Sequence, residues 1–384
     1  MSIESNPVSS ESAVRERYGV AAKKVQPNLC CAVEYDAKYL AAIPKEVVQR
    51  DYGCGDPSKF VEEGDVVLDL GSGTGKICFI ASQVSGPNGR VIGVDMLDEM
   101  LDLSRRAAPK VAANLGFGNV EFRRGRIQDL KLDLDLLNEW LARNPVKNAE
   151  EVSAMEDEAN RLRREHPLVA DDSVDLVVSN CVLNLVRTED KEQLFHEIFR
   201  VLRRGGRIAI SDIVCDEPVP DHLRDDPELW SGCISGAFEE QEFLSQLTDV
   251  GFYGIEVSEW SEDPFAVVEG IEFRSVTVTA KKGKEGECYE GNHAVIYRGP
   301  WKQVEDDDNH VLERGQRTAV CEKTFGILTR SPYGDQIVGI SPRELVSESN
   351  RSLFDCGRSV RRNPRETKGA NYKANKNGNS GGCC

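Results

Sequence analysis

Short apolar runs recur along the first 280 residues, and stretches with helical spacing separate them. Val66-Val67-Leu68-Asp69-Leu70 reads as a buried strand running into a glycine turn, with a helix expected from Lys76. Val91 to Val94 predicts a second strand, Asp98 to Leu115 a helix stopped by Gly116, and Val120 to Arg123 a third strand. The pattern resumes with a strand at Val174 to Val178 and a helix from Lys191 to Leu202. The Arg204-Gly205-Gly206 turn then ends that helix ahead of the strand Arg207 to Asp212. A helix after Glu239 runs to Val250, and Ile255 to Trp260 and Val276 to Ala280 read as the last two strands, closing the sheet near Lys281. Apolar strands alternating with helices predict an α/β fold, doubly wound about a parallel sheet.

The remaining segments break this rhythm. Between Asp129 and Asp172 lies a charged stretch with helical spacing at Leu136 to Leu141 and Ala149 to His166 and a break at Pro145, which reads as a surface insertion. Residues 1–60 hold an amphipathic start, Ser12 to Tyr18, and loops with Cys30, Cys31 and Cys54, the expected N-terminal cap on a main domain of residues 61–282. The polar run Lys281 to Glu287 leads into a smaller C-terminal domain, 283–350, with short strands at Ala294 to Tyr297 and Thr318 to Val320. Residues 351–384 turn basic and then rich in Asn, Gly and Ser, and are expected to be a disordered tail ending in Cys383-Cys384.

Composition narrows the function. A chain of 384 residues with 40% hydrophobic positions can bury a full α/β core and a second unit, and its formal charge of −17 speaks against nucleic acid or an anionic membrane surface as partner. Neither a basic-then-apolar leader nor an apolar run near the roughly 18 residues of a membrane span occurs, so a cytoplasmic protein is expected. In that reducing setting twelve cysteines point to reactive or ligand-binding thiols. The thiols form no C-x-x-C pairs and the five histidines are scattered, which argues against structural zinc.

The turn after the first strand carries the clearest chemistry. In Asp69-Leu70-Gly71-Ser72-Gly73-Thr74-Gly75-Lys76, glycines at 71, 73 and 75 let the backbone approach a ligand, but Lys76 occupies the place of the third glycine of a dinucleotide fingerprint. Asp69 suits a ligand amino group, and Asp95, ending the second strand, suits two ribose hydroxyls. S-adenosylmethionine has both features, so the frame is that of a class I, Rossmann-like methyltransferase. Ile127 and Gln128, after the third strand, would lie at the adenine ring of such a fold. Cys181 ends an apolar strand, at the edge where open α/β sheets hold their ligands.

Several strings together resemble the arsenite methyltransferases over about residues 10 to 280. These are Arg50-Asp51-Tyr52-Gly53-Cys54-Gly55, the glycine turn with Ser72, Gly93-Val94-Asp95-Met96, Ser179-Asn180-Cys181-Val182-Leu183-Asn184-Leu185, and Leu229-Trp230 through Cys233 to Gly236-Ala237. The region with Tyr297-Arg298-Gly299-Pro300-Trp301-Lys302 looks like the carboxy-terminal part of microbial members. The resemblance implies that Cys54, Cys181 and Cys233 hold As(III), with arsenite or its glutathione adducts as substrate. It also implies that Tyr52 and Met96 lie against the cofactor, and that an amino-terminal cysteine exchanges disulfides with Cys54, the pair being reduced by thioredoxin or glutathione. This chain departs from the pattern in having adjacent Cys30 and Cys31, so either is the candidate relay thiol. Thiolates are the natural ligands of a soft metalloid.

Other readings stand beside these. Cys78 reads as a core residue, Cys215 as a core or cleft residue, and Asn180 either as a contact to cofactor or substrate or as a cap on the strand turn. Cys288, Cys321 and Cys356 lie in no motif, and Cys383-Cys384 reads equally as a tethered dithiol or as a solvated end. Another small-molecule methyltransferase of this fold would tolerate loss of Cys54 and Cys233. A protein that only sequesters arsenite would need no Asp95 or Gly71.

Overall fold

The computed structural model describes residues 10–24, 33–224, 226–369 and 372. The chain divides into two compact units, Met1–Gly283 and Lys284–Cys384.

Apart from two short edge pieces, Phe238–Glu239 and Ala266–Val268, the strands of the first unit are β1 (Val66–Leu70), β2 (Arg90–Asp95), β3 (Val120–Arg124), β4 (Val174–Asn180), β5 (Leu202–Cys215), β6 (Tyr253–Trp260) and β7 (Ile271–Lys281). They are ordered β3-β2-β1-β4-β5-β7-β6, parallel from β3 to β5, with β7 antiparallel to both of its neighbours. This is the class I methyltransferase sheet. Residue alternation along the strands feeds two separate cores. Val67, Val91, Leu176 and Val178 pack with α2 (Lys76–Ser85) and α3 (Asp98–Leu115). Leu68, Leu70, Ile92, Val94 and Val177 pack with α6 (Lys191–Val201) and α8 (Glu240–Val250) on the other face.

The charged insertion forms α4 (Leu134–Arg143) and α5 (Ala149–Glu165), which bury a small cluster around Leu137 and Leu162. A short helix, α7 (Pro227–Ser231), lies against α1 (Ser10–Ala21). No helix among the described residues is long and apolar enough to cross a membrane.

Two expectations change. The helix before the glycine pair ends at Val201, and β5 already begins at Leu202, so Gly205 and Gly206 lie within the strand rather than ahead of it. Gly205 has φ +85° and the β4–β5 register shifts here, so the pair makes an irregularity in the ladder.

The second unit has its own sheet of β8 (Ala294–Tyr297), β9 (Arg317–Ala319) and β10 (Ile337–Ile340), with β8 in the centre. Its core joins Val295, Tyr297, Leu312, Val320, Leu328 and Ile337, the fifth of these from the helix α9 (Glu322–Leu328). The basic segment expected to be disordered from residue 351 is folded through Gly369. Arg362 is buried, gives two hydrogen bonds to the Glu290 carboxylate at 2.8 and 2.9 Å, and donates to the His293 carbonyl. A charge run read from sequence as solvated is here consumed by a buried ion pair. Cys383 and Cys384 lie outside the described residues, as do Cys30 and Cys31.

Candidate active site

A cleft of about 910 Å³ opens at the carboxyl ends of β1, β2 and β4. Tyr52, Gly71, Gly73, Asp95, Met96, Ile127 and Gln128 line it, together with Cys181. Gly71 holds φ +66°, and a Cβ there would strike the Val182 side chain. Asp95 accepts the Gly73 and Leu97 amides, both at 2.9 Å, so the glycine turn is folded onto the carboxylate that ends β2.

Four of the expected cofactor residues do not line the cleft. Asp69 is buried one strand residue behind the turn and accepts a hydrogen bond from the Cys78 thiol at 3.1 Å. Burial pushes its pKa up to about 8; the Cys78 bond opposes this, and the carboxylates of Asp51 and Asp95 add to it. The Ser72 hydroxyl is buried and finds no hydrogen-bond partner among the described residues. Gly75 packs against Phe122 and Phe79 at the start of α2. Asn180 faces the 51–55 loop instead, where its Oδ1 accepts the Cys54 and Gly55 amides at 2.9 and 3.2 Å and its Nδ2 donates to the Gly55 carbonyl at 2.8 Å. Of its two sequence readings, the cofactor contact gives way to a clamp between β4 and the Cys54 loop.

Sequence reasoning missed several lining residues, among them Val14 and Tyr18 on α1, and Asp51. Asp51 pairs with Lys76 at 2.8 Å, both nearly buried, and Lys76 also lies 4.0 Å over the Tyr35 ring. The lysine that excluded a dinucleotide fingerprint thus ties the 51–55 loop to α2.

The three expected arsenic-binding thiols converge around Cys181, which lines this cleft. Cys181 lies within hydrogen-bonding reach of both Cys54 and Cys233. The Cys233 thiol also donates to the Cys181 carbonyl at 3.3 Å. Cys181 and Cys233 both adopt left-handed backbone, φ +60° and +64°, a conformation non-glycine residues rarely hold without support. The support is visible. The Asp212 carboxylate accepts the Val182, Leu183 and Ile213 amides, fixing the turn after Cys181. The Asn184 amide donates to the Ile213 and Cys233 carbonyls. At Gly236 a Cβ would collide with the Asn184 carbonyl, while Lys191 Nζ donates to the Gly236 carbonyl at 2.6 Å. Ser275 holds the Cys54 carbonyl at 2.6 Å.

The thiols sit in apolar surroundings formed by Ile213, Val219, Leu223, Ile234 and Phe273. The Cys181 pKa lies well above the ordinary thiol value because Cys233 and Cys54 share hydrogen bonds with it, with burial adding; burial raises Cys54 as well. All three are free thiols. The sulfur atoms of Cys54 and Cys181 and a carboxylate oxygen of Asp212 lie within 4.8 Å of one another. Burial pushes Asp212 up to about 6, offset in part by the amides it accepts and by Lys191. Cys78 stays in the core beside Asp69, and Cys215 is buried with its thiol on the Phe238 carbonyl at 3.3 Å.

The donor set fits S-adenosylmethionine. A carboxylate for vicinal hydroxyls, Asp95, and an apolar wall of Met96, Leu97, Met100 and Ile127 surround one cleft. A methyltransferase domain model matches residues 61–166 and 148–251, and a domain of unknown function matches 284–372. An arsenite methyltransferase of Halobacterium salinarum is 34% identical over 277 residues, which cover 66% of this chain and 60% of that protein. One from Aquipseudomonas alcaligenes is 31% identical over 335 residues, covering 83% of this chain and 84% of the relative. The solved structure of an arsenic(III) S-adenosylmethionine methyltransferase from Chlamydomonas reinhardtii, 25% identical, superposes with a TM-score of 0.55 over 88% of this chain and 99% of that one.

Proposed function

The chain belongs to the arsenite methyltransferase family, and from that premise we propose that it methylates trivalent arsenic held by Cys54, Cys181 and Cys233. The observation that carries this reading is the double position of Cys181, which lines the cofactor cleft and lies between the other two thiols.

S-adenosylmethionine supplies an electrophilic methyl group when bound. Asp95 would take the ribose hydroxyls and Met96 and Ile127 the base, while Asp69, buried behind the turn, would act on the cofactor's positive charge through space and not by contact. The protein's thiols do the rest. Arsenous acid exchanges its three hydroxyl groups for three thiols, forming three As–S bonds and releasing three waters, with no change of oxidation state. The three thiol protons leave with the hydroxyl groups as the three waters, and thiolate sulfur is what the soft ion prefers. Arsenic retains its lone pair and would form the As–C bond as the sulfonium C–S bond breaks and S-adenosylhomocysteine leaves, so positioning rather than a general base is what the site must provide.

Methylation takes arsenic formally from As(III) to As(V). Two thiols can return two electrons to it by forming a disulfide, and we assign that role to Cys54 with Cys30 or Cys31. Thioredoxin or glutathione would then reduce the disulfide by thiol exchange.

Arsenic speciation by chromatography with mass detection, after incubation with arsenite, S-adenosylmethionine and glutathione, tests the reading. Methylated arsenic is expected from the wild type and none from Cys181→Ser. Tight arsenite binding with no methylated product would make the protein a sequestrant. Product from Cys54→Ser and Cys233→Ser chains would point to a different nucleophile.

A further inference from the structure

The second unit gathers three cysteines that no sequence motif joins. Cys288, Cys321 and Cys356 bring their sulfur atoms within 4.8 Å of one another. They are 33 and 35 positions apart, yet the fold fixes all three. Tyr289 bridges to Leu353, and the Cys288 carbonyl accepts the Phe354 amide at 2.8 Å, which lays the Cys288 segment along the chain leading to Cys356. The Glu322 amide donates to the Tyr289 carbonyl, and Arg351 pairs with Glu322 at 2.9 Å, drawing Cys321 onto the same two segments. Cys321 is buried at the start of α9, where its sulfur accepts the Thr324 amide at 3.2 Å, while Cys288 and Cys356 are half-exposed. The cluster therefore has a fixed inner thiol and two that a solute can reach. Lys323, whose ammonium donates to the neighbouring Gly286 carbonyl and favours the Cys288 thiolate, supplies a cation to balance thiolate charge.

We propose that these three cysteines form a second trivalent-arsenic site, separate from the one at which the methyl group is transferred. All three thiols are free rather than paired in a disulfide. Among the described residues no histidine or carboxylate joins the group. A structural zinc site is closed by four protein ligands, whereas a three-coordinate metalloid with a lone pair is complete with three sulfurs. Binding balances as at the first site: arsenous acid and three thiols give the tris-thiolate and three waters, with nothing oxidised. The proposal rests on the family reading for its choice of ion, but it concerns binding and not turnover, so the two fail separately.

The test uses the full chain without cofactor, carrying Cys30→Ser, Cys31→Ser, Cys54→Ser, Cys181→Ser, Cys233→Ser, Cys383→Ser and Cys384→Ser, so that the cluster keeps the only reachable thiols among those proposed to bind. Arsenite bound at equilibrium is counted by mass spectrometry, and arsenic X-ray absorption counts its sulfur neighbours. One arsenic per chain with three sulfurs is expected. Adding Cys356→Ser or, separately, Cys288→Ser removes one tethered ligand, and affinity should fall about tenfold or more as the intramolecular third contact is lost. Circular dichroism of each variant establishes that the unit stays folded. No bound arsenic, affinity unchanged by both added substitutions, or zinc ions binding more tightly than arsenite would each overturn the proposal.

Discussion

Asn180 and Asp69 show how a single side chain divides its work between ligand and scaffold. Asn180 satisfies two amides and a carbonyl of the Cys54 loop, all buried. Asn180→Ala strands those groups, at about 1–3 kcal/mol for each one left unmade. Because Asn180 is absent from the cleft wall, calorimetric titration should find cofactor affinity within about threefold of wild type, the spread expected for a change that removes no ligand contact. Arsenite affinity and turnover should fall by tenfold or more; equal losses for both ligands would return Asn180 to the cofactor site. Asp69 makes a different prediction. Its folded pKa, about 8, lies above the unfolded value of 3.8, so its contribution to stability is fully present below pH 3.8 and is lost as pH rises toward 8. A bound cation reverses the preference by favouring the carboxylate. Cofactor affinity should therefore rise with pH up to about 8, by at most about tenfold per unit, and level off above it. Asp69→Asn should flatten the profile; a slope that survives would place the titrating group elsewhere. Of these residues, the three thiols were legible in sequence because each lies in a distinctive string. Asn180, Asn184 and Asp212 were not, because a polar residue ending a strand looks the same whether it holds a ligand or a neighbouring loop. Only the register that sets Asn180 beside Ser211 brings that loop into reach.

At the scale of elements, most helices fall where periodicity put them, α3 to the residue. The direction of β7 does not, since an apolar run pairs equally well parallel or antiparallel and the choice is made by the hairpin with β6. The amphipathic start at Ser12 to Tyr18 was read as part of a cap, but not which residues of it would reach the cleft. It carries Val14 and Tyr18 into the cleft wall, and the Tyr18 hydroxyl lies 4.0 Å from the Cys233 sulfur. Arg17 anchors it, donating to the Glu228 carbonyl and the Ser231 hydroxyl, both at 2.8 Å. The helix thus covers cofactor cleft and thiols together. Arg17→Ala should loosen α1 and raise the KM for both ligands by about tenfold, the low end of what one lost hydrogen bond from a charged group is worth. Hydrogen exchange over residues 10–21 should speed up while β1 and β4 stay protected. Unchanged exchange there would mean that the packing of Val14, Ala21 and Ala22 holds the helix without Arg17.

For the whole molecule, the two units differ in how far their sequences disclose them. The first repeats strand, turn and helix, a grammar that periodicity reads directly. The second is held by contacts between residues far apart in the chain, such as Cys288 with Cys356 and Glu290 with Arg362, which leave no local pattern. Its basic segment illustrates the cost of reading charge alone: Arg361 bridges to Thr318 on β9, and the neighbouring Arg362 reaches inward. Removing one partner of a buried ion pair leaves the other charge uncompensated, a loss of about 3–5 kcal/mol, and the quarter-exposed Glu290 puts the expected value near the lower end. Arg362→Ala should accordingly unfold or loosen the second unit while sparing the first. Hydrogen exchange read by mass spectrometry should show β8 and β9 losing protection while β1, β2 and β4 keep theirs, and Arg362→Lys should recover only part of the effect, because an ammonium cannot repeat the paired contact with one carboxylate. Protection in β8 and β9 that survives Arg362→Ala would mean that the apolar core of Val295, Tyr297 and Val320 suffices, and that the 351–369 segment is laid on the unit rather than built into it.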